Sequence, residues 1–213
     1  ALYTRLYMKE YGVTEDELAA AGAKNHMNAT KNPLAQLKHK VATLEGIKDS
    51  IMVADPIRLY HTCPVTDGAA ALVLCSLDMA EDFTKKPVQI LGSGQATDTM
   101  SLEERENPLR LKSVEIAADE AFKMANLGRD DIDFAEVHDA FITLELAELE
   151  GAGFFPVGEA GKATLEGKTQ IDGEFPVNTS GGLKARGHPV GATGIAQAVE
   201  LVTQIRGEAG ERQ

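Results

Sequence analysis

Five histidines and two cysteines are the side chains best suited here to proton transfer or nucleophilic attack: His26, His39, His61, His138, His188, Cys63 and Cys75. Histidine titrates near neutral pH, so it works as an acid or base where an element end or loop presents it to a ligand. His138 closes the alternating stretch Ile132-Asp133-Phe134-Ala135-Glu136-Val137, a strand-to-helix junction of the kind where α/β sheets place ligands. His188 lies within Gly181-Gly182-Leu183-Lys184-Ala185-Arg186-Gly187-His188-Pro189-Val190-Gly191-Ala192-Thr193-Gly194. Glycines let that backbone take positive φ and approach a ligand closely. The two histidines, each at the mouth of an element, are candidates for an acid/base and oxyanion-stabilising pair. Spacing alone leaves open whether they meet. The glycine stretch is neither a phosphate-binding loop, since no Gly-Lys-Ser/Thr follows, nor a dinucleotide fingerprint. A cysteine nucleophile needs a base beside it. Cys75 sits in an apolar run and is expected to be inert packing; Cys63 precedes Pro64 in a loop with no evident base.

The elements that must position these groups read as alternating strands and helices. Residues 1–24 read as helical with a break near Gly12, and Thr14 followed by Glu17 is a capping-box pattern. Asn32-Pro33 breaks the pattern, and residues 34–60 read as loop and short elements. Ala69 to Leu77 reads as a buried strand and Val88-Gln89-Ile90-Leu91 as another, ended by Gly92-Ser93-Gly94. Val114, Ala117, Ala118, Ala121 and Ala125 form a helical stripe, with Gly128 as the expected stop. Asp139 is placed to cap a helix over residues 140–150. A last helix, residues 192–206, carries the stripe Ile195, Ala198, Val199, Val202 and Ile205. This alternation predicts an α/β layered fold.

Composition narrows the function classes. Of 213 residues, 43% are hydrophobic and 25% charged, ordinary globular usage. No apolar run approaches the ~20 residues of a membrane helix. Two cysteines and no zinc-type spacing argue against a disulfide scaffold or a structural metal module, and no metal site is expected. The net charge of -12 speaks against nucleic-acid binding. Residues 1–60 hold eight Lys/Arg against seven Asp/Glu, and residues 61–213 thirteen against twenty-six. An anionic ligand is therefore expected over the first segment. The opening residues show no basic n-region, apolar h-region or cleavage site, so a cytoplasmic location is expected. The start at Ala1 without Met and the polar close Gly207 to Gln213 suggest a piece of a longer chain.

Several motifs resemble those of the thiolase family. Asn178-Thr179-Ser180-Gly181-Gly182 running on to Gly194 resembles its histidine motif, and Val137-His138-Asp139-Ala140-Phe141 a second active-site motif. The His-Asp-Ala-Phe form is similar to the branch of archaeal acetyl-CoA acetyltransferases and sterol-carrier-protein-X-type thiolases. Cys63-Pro64-Val65-Thr66-Asp67-Gly68-Ala69-Ala70-Ala71 resembles that branch's strand-opening motif, and Lys24-Asn25-His26 to Asn32-Pro33 its loop domain.

The resemblance implies a thiolase-like layered fold of the C-terminal half plus the loop region. Residues 1–62 would be the remainder of the loop domain with helices. Residues 63–86 would be the last strand region of the N-terminal half, and residues 87–213 an incomplete C-terminal thiolase domain. It implies acyl transfer between a cysteine thiol and coenzyme A, with a carbon–carbon bond made or broken α to a thioester. Neither Cys63 nor Cys75 matches the family's nucleophile motif, so that cysteine is expected upstream of Ala1. His188 would be the base, His138 an oxyanion-hole donor, and Ser180, Gly181 and Gly182 the pocket floor. Lys24 and His26 would belong to the substrate-binding loop. Coenzyme A enters as substrate, with no further cofactor. A homo-oligomer and a companion OB-fold protein are the implied partners. A non-catalytic thiolase-like subunit that binds a CoA ester or a partner stands as the alternative. A ketoacyl-synthase relative is disfavoured by the Gly-His-Pro-x-Gly-Ala-Thr-Gly form.

Overall fold

The computed structural model describes residues 1–213. Helix α1, Leu2–Tyr11, ends where Gly12 takes the left-handed conformation. Helix α2, Glu15–Thr30, opens on the capping box: Thr14 Oγ1 accepts from the Glu17 amide, and the Glu17 carboxylate accepts from the Thr14 amide. The helix runs six residues past the stretch 1–24 read as helical, where Asn25, Asn28 and Asn32 all find buried partners. Helix α3, Leu44–Lys48, precedes a small antiparallel hairpin of β1, Met52–Ala54, and β2, Ile57–Arg58. Helices α4, Leu77–Phe83, α5, Lys112–Ala125, α6, Ile142–Gly151, α7, Ala160–Leu165, and α8, Thr193–Ile205, complete the chain. A single π-helical turn, Gly182–Arg186, sits in the glycine stretch.

One core joins the two ends of the sequence. Tyr7, Val13, Leu18 and Ala21 of the first two helices and their junction pack with Ile142, Leu146 and Leu149 of α6, and with Val177. Helix α2 therefore lies directly beneath both histidine-bearing loops.

The strand expectations for residues 69–77, 88–91 and 132–137 are corrected. Leu77 already opens α4, the other residues of these segments form no ladder, and only Ala135 pairs, in a lone parallel bridge to Val177. Val73 is 92% exposed, Leu74 72% and Ile90 66%. The apolar runs satisfy the side-chain pattern of sheet strands, yet no neighbouring backbone lies alongside to form a ladder. Cys75, expected inside a buried strand, is exposed for the same reason. Helix α8 also departs from expectation, with Ala198, Val199 and Val202 of its apolar stripe only half-buried. Its buried residues are Thr193, Glu200 and Gln204, while Ile195 and Ile205 face outward. The cause is a polar cluster: Glu200 accepts from Thr179, Gln204 and Arg212, which draws that face of the helix inward. Asn126, two residues before the expected stop at Gly128, takes the left-handed conformation that ends α5.

Candidate active site

The site is assembled from two loops that the fold clamps together from below. The first carries His138. Val137 just before it is fixed at both backbone atoms: its amide donates to Asn178 Oδ1 at 2.9 Å, and its carbonyl accepts from Gln197 Nε2 at 2.9 Å. The His138 amide donates to Glu148 Oε2 at 2.7 Å. Asn178 itself takes positive φ and donates through Nδ2 to Glu145. These partners come from the 178–180 loop, α8 and α6, so the His138 backbone has little freedom to shift.

The second loop carries His188. Its amide donates to Thr66 Oγ1 at 3.0 Å, and Thr66 in turn donates to Gln36 at 2.6 Å. The Gln36 and Leu37 amides donate to the Arg186 and Ala185 carbonyls. On the ring, Nδ1 lies 2.8 Å from Thr193 Oγ1.

Asp139 joins the two loops. It does not cap α6; the residue before that helix is Phe141, which has no capping side chain. Instead its carboxylate accepts from the Leu183 amide at 2.6 Å, the Lys184 amide at 3.1 Å and Asn25 Nδ2 at 2.8 Å. The Leu183 and Lys184 amides of the π-helical turn take up the carboxylate that was expected to serve the α6 amides. Gly182 makes this approach possible: at φ +59, a Cβ there would lie 2.3 Å from Asp139 Oδ2. Gly181 is equally tight against α2, where a Cβ would meet Ala29 at 2.7 Å.

The result is that the His138 and His188 rings meet edge to face, with centroids 4.9 Å apart and planes at 89°. Residues fifty positions apart in sequence thus form one pair. The ring nitrogens of His138 and Nε2 of His188 have no protein partner and are not among the buried polar atoms, so they open onto free space. Partial burial lowers the pKa of His138, with the His188 ring adding to the effect; burial and then the Arg186 guanidinium lower that of His188. Both shifts favour the neutral imidazole, which carries one N–H donor and one lone pair.

The other expected site residues lie beneath this pair. Ser180 is fully buried, with its amide and hydroxyl donating to Glu136 at 2.9 Å and 2.7 Å. Burial raises the Glu136 carboxyl to about 6, against the opposing pull of Arg186. Gly181 and Gly182 are buried beside it. Lys24 and His26, expected to face substrate, point inside the fold. The Lys24 ammonium meets Glu145 at 2.6 Å with both side chains wholly buried, and His26 Nδ1 lies 3.0 Å from the Lys40 carbonyl. Helix α2 turns these residues toward α6 and the 40–60 segment rather than toward the open histidine nitrogens. Cys63 is held by its amide to the Ala140 carbonyl, and burial raises its thiol pKa, the opposite of what activates a nucleophile. No group of three or more His, Cys, Asp or Glu side chains is gathered as metal ligands.

Residues that sequence reasoning passed over include Thr66, Gln36, Thr193, Glu145 and Glu148. Thr66 and Thr193 lay inside the quoted motifs without a role, and Glu145 and Glu148 were visible only as two of the three acidic residues of a largely apolar helix. Burial raises Glu148 to about 8 and also raises Asp139, which sits beside Glu145.

Comparison with known proteins agrees with this geometry. The family model described as "Thiolase C-terminal domain-like" matches residues 94–213. The chain is 51% identical over 213 residues to an acetyl-CoA acetyltransferase of Methanothermobacter thermautotrophicus, covering all of this chain and 55% of that protein. It is 37% identical over 212 residues to sterol carrier protein 2 of Bos taurus, covering 97% of this chain and 39% of that one. A solved structure titled "Ltp2-ChsH2(DUF35) aldolase" superposes with a TM-score of 0.86 at 28% identity, over 99% of this chain and 56% of that chain. The chain thus spans about half the length, or less, of these relatives. With its fold, its histidine motifs and more than half its length matched, the chain belongs to the thiolase family and has a thiolase-like fold.

Proposed function

We propose that these residues supply the base and the oxyanion donor of a thiolase-type acyltransferase acting on acyl-CoA thioesters. The observation that carries the reading is the perpendicular histidine pair, with ring nitrogens open to a ligand. Acyl transfer from a thioester needs a base for a thiol and a donor for the carbonyl oxygen as it gains charge. His188 takes the proton from a cysteine thiol. The thiolate attacks a 3-keto carbonyl, the carbon–carbon bond α to the thioester breaks, and the departing carbon, still joined to its CoA thioester, is protonated to give acetyl-CoA. Coenzyme A then takes the acyl group from the cysteine. Run backward, the same steps are a Claisen condensation. His138 donates its N–H to the thioester oxygen. Ser180, Gly181 and Gly182 support the pocket from below, with the Ser180 amide and hydroxyl committed to Glu136.

Neither Cys63, with a raised thiol pKa, nor Cys75, in an exposed extended segment, is set up as that nucleophile. It is supplied by residues outside these 213. The substrate is an acyl-CoA, and its anionic phosphates lie over residues 1–60, near Lys31, Lys38 and Lys40; Lys24 is excluded from that role by its buried pairing with Glu145. The enzyme works as a homo-oligomer. A companion protein is supported by the two-component title of the structural relative. No helix is long and apolar enough to cross a membrane, which fits a cytoplasmic site of action.

The test is CoA-dependent cleavage of acetoacetyl-CoA, measured on the intact protein and on residues 1–213 alone. The reading expects turnover by the first and none by the second. Enzyme-like turnover by residues 1–213 alone would show that the nucleophile has been misplaced. An intact protein that binds CoA esters without turnover would favour a non-catalytic subunit.

A further inference from the structure

We infer that Thr193 sets the tautomer of His188, keeping the proton on Nδ1 so that Nε2 offers the lone pair. The inference rests on His188 acting as the base. Its ring has one nitrogen engaged and one open: Nδ1 lies 2.8 Å from Thr193 Oγ1, while Nε2 has no protein partner and reaches free space. Only Nε2 can meet a substrate-side thiol, so a base must keep its lone pair there. Thr193 provides for this. It is 2% exposed and is the first residue of α8, so its hydroxyl cannot swing out to water. That hydroxyl donates to the Pro189 carbonyl at 3.1 Å. Having one proton, and using it there, it is left as an acceptor, which matches Nδ1–H and not a bare Nδ1.

The position is built rather than incidental. The Ala192 and Thr193 amides also donate to the Pro189 carbonyl, at 2.8 Å and 3.0 Å. This closes a tight turn that returns the chain from His188 to the start of α8 directly over the ring. The His188 amide is separately fixed by Thr66. The imidazole is thus held at its backbone and at Nδ1, leaving Nε2 as its working atom. A β-hydroxyl at position 193 is required, whereas the methyl group of threonine is not. Thr193 is a positioning residue: it acts through His188 and touches no reacting atom.

The test is long-range ¹H–¹⁵N correlation NMR of the histidine rings in the intact protein above the His188 pKa, with His188 assigned by its disappearance in His188→Asn. The expected spectrum shows Nδ1 protonated and Nε2 as the bare nitrogen. Thr193→Val keeps the shape but removes the acceptor. It is expected to shift His188 toward the Nε2–H form and to slow acylation of the nucleophile by on the order of 10- to 100-fold, less than outright loss of a base at ~10²–10⁴-fold. Thr193→Ser is expected to restore both tautomer and rate. A bare Nδ1 in the unsubstituted protein overturns the inference without any variant having to fold, and so does an unchanged tautomer in Thr193→Val. An Nδ1–H spectrum in a protein whose acylation does not depend on His188 would instead sink the base assignment, while leaving Thr193 as the residue that fixes the tautomer.

Discussion

His138 and His188 have the same side chain and are expected to fail in different ways. On the roles proposed above, His188→Ala removes the base, so acylation should fall ~10²–10⁴-fold near neutral pH and recover in part as rising pH ionises the thiol unaided. His138→Ala removes one oxyanion donor, a loss of ~10²–10³-fold, whereas His138→Asn keeps an N–H donor and should retain more activity. Acylation rate against pH for the three variants checks both roles; equal rates for the two His138 variants would contradict the donor assignment. Two other histidines bear on stability. Burial lowers His26 and His61 to about 4, each with Nε2 unpartnered inside the protein. Their folded pKa lies below the ordinary value near 6.5, so the unfolded chain binds more protons between those limits. The stability they allow is present above about pH 6.5 and is lost as pH falls toward 4, at up to about 1.4 kcal/mol per pH unit for each proton. Urea unfolding of His61→Asn against the parent at pH 5 and pH 7 should show a shallower acid limb; an identical slope would contradict it. At this scale the two histidine-bearing loops were legible, because glycine spacing and a junction position are local signals, while the meeting of their rings was not. The burial of Lys24 and His26 was not legible, since which face of α2 turns toward Glu145 depends on a residue 121 positions away.

Among the elements, the π-helical turn Gly182–Arg186 and the His138 loop are one mechanical unit joined by Asp139. Gly182→Ala should be severely disruptive. A left-handed non-glycine residue costs ~1–3 kcal/mol before any clash, and here a Cβ would also lie 2.3 Å from a carboxylate oxygen. Asp139→Ala should cost at least as much, because it strands the Leu183 and Lys184 amides and Asn25, at ~1–3 kcal/mol for each buried donor left unmet. Thermal unfolding of both variants checks this, and a loss under 1 kcal/mol in either would contradict the clamp. Helix boundaries with local chemistry were legible, as the Thr14–Glu17 box shows. Strand pairing was not, because residues 69–77 and 88–91 have the composition of strands whatever lies beside them. The most buried face of α8 was hidden too: its apolar stripe was visible in sequence, while the Thr179–Glu200–Gln204–Arg212 cluster that buries Glu200 and Gln204 is a tertiary fact.

At the scale of the whole molecule, an acidic surface coexists with bare apolar ground. Val73, Leu74, Leu77, Phe83, Val88 and Ile90 line a cavity of about 650 Å³ between α4 and two unpaired extended segments. Exposed apolar surface of this kind drives association. Residues 1–213 on their own should therefore self-associate with rising concentration, and Val73→Glu should reduce this. Sedimentation velocity across a concentration series checks it, and a monomer indifferent to Val73→Glu would contradict it. The account as a whole turns on His188 serving a cysteine that these residues do not contain. Mass spectrometry of the intact protein, quenched milliseconds to seconds after mixing with acetoacetyl-CoA, tests that most directly. The account predicts one acetyl group on a cysteine other than Cys63 or Cys75, formed ~10²–10⁴-fold more slowly in His188→Ala. Acetyl on Cys63 or Cys75, or acylation at an unchanged rate without His188, would contradict it.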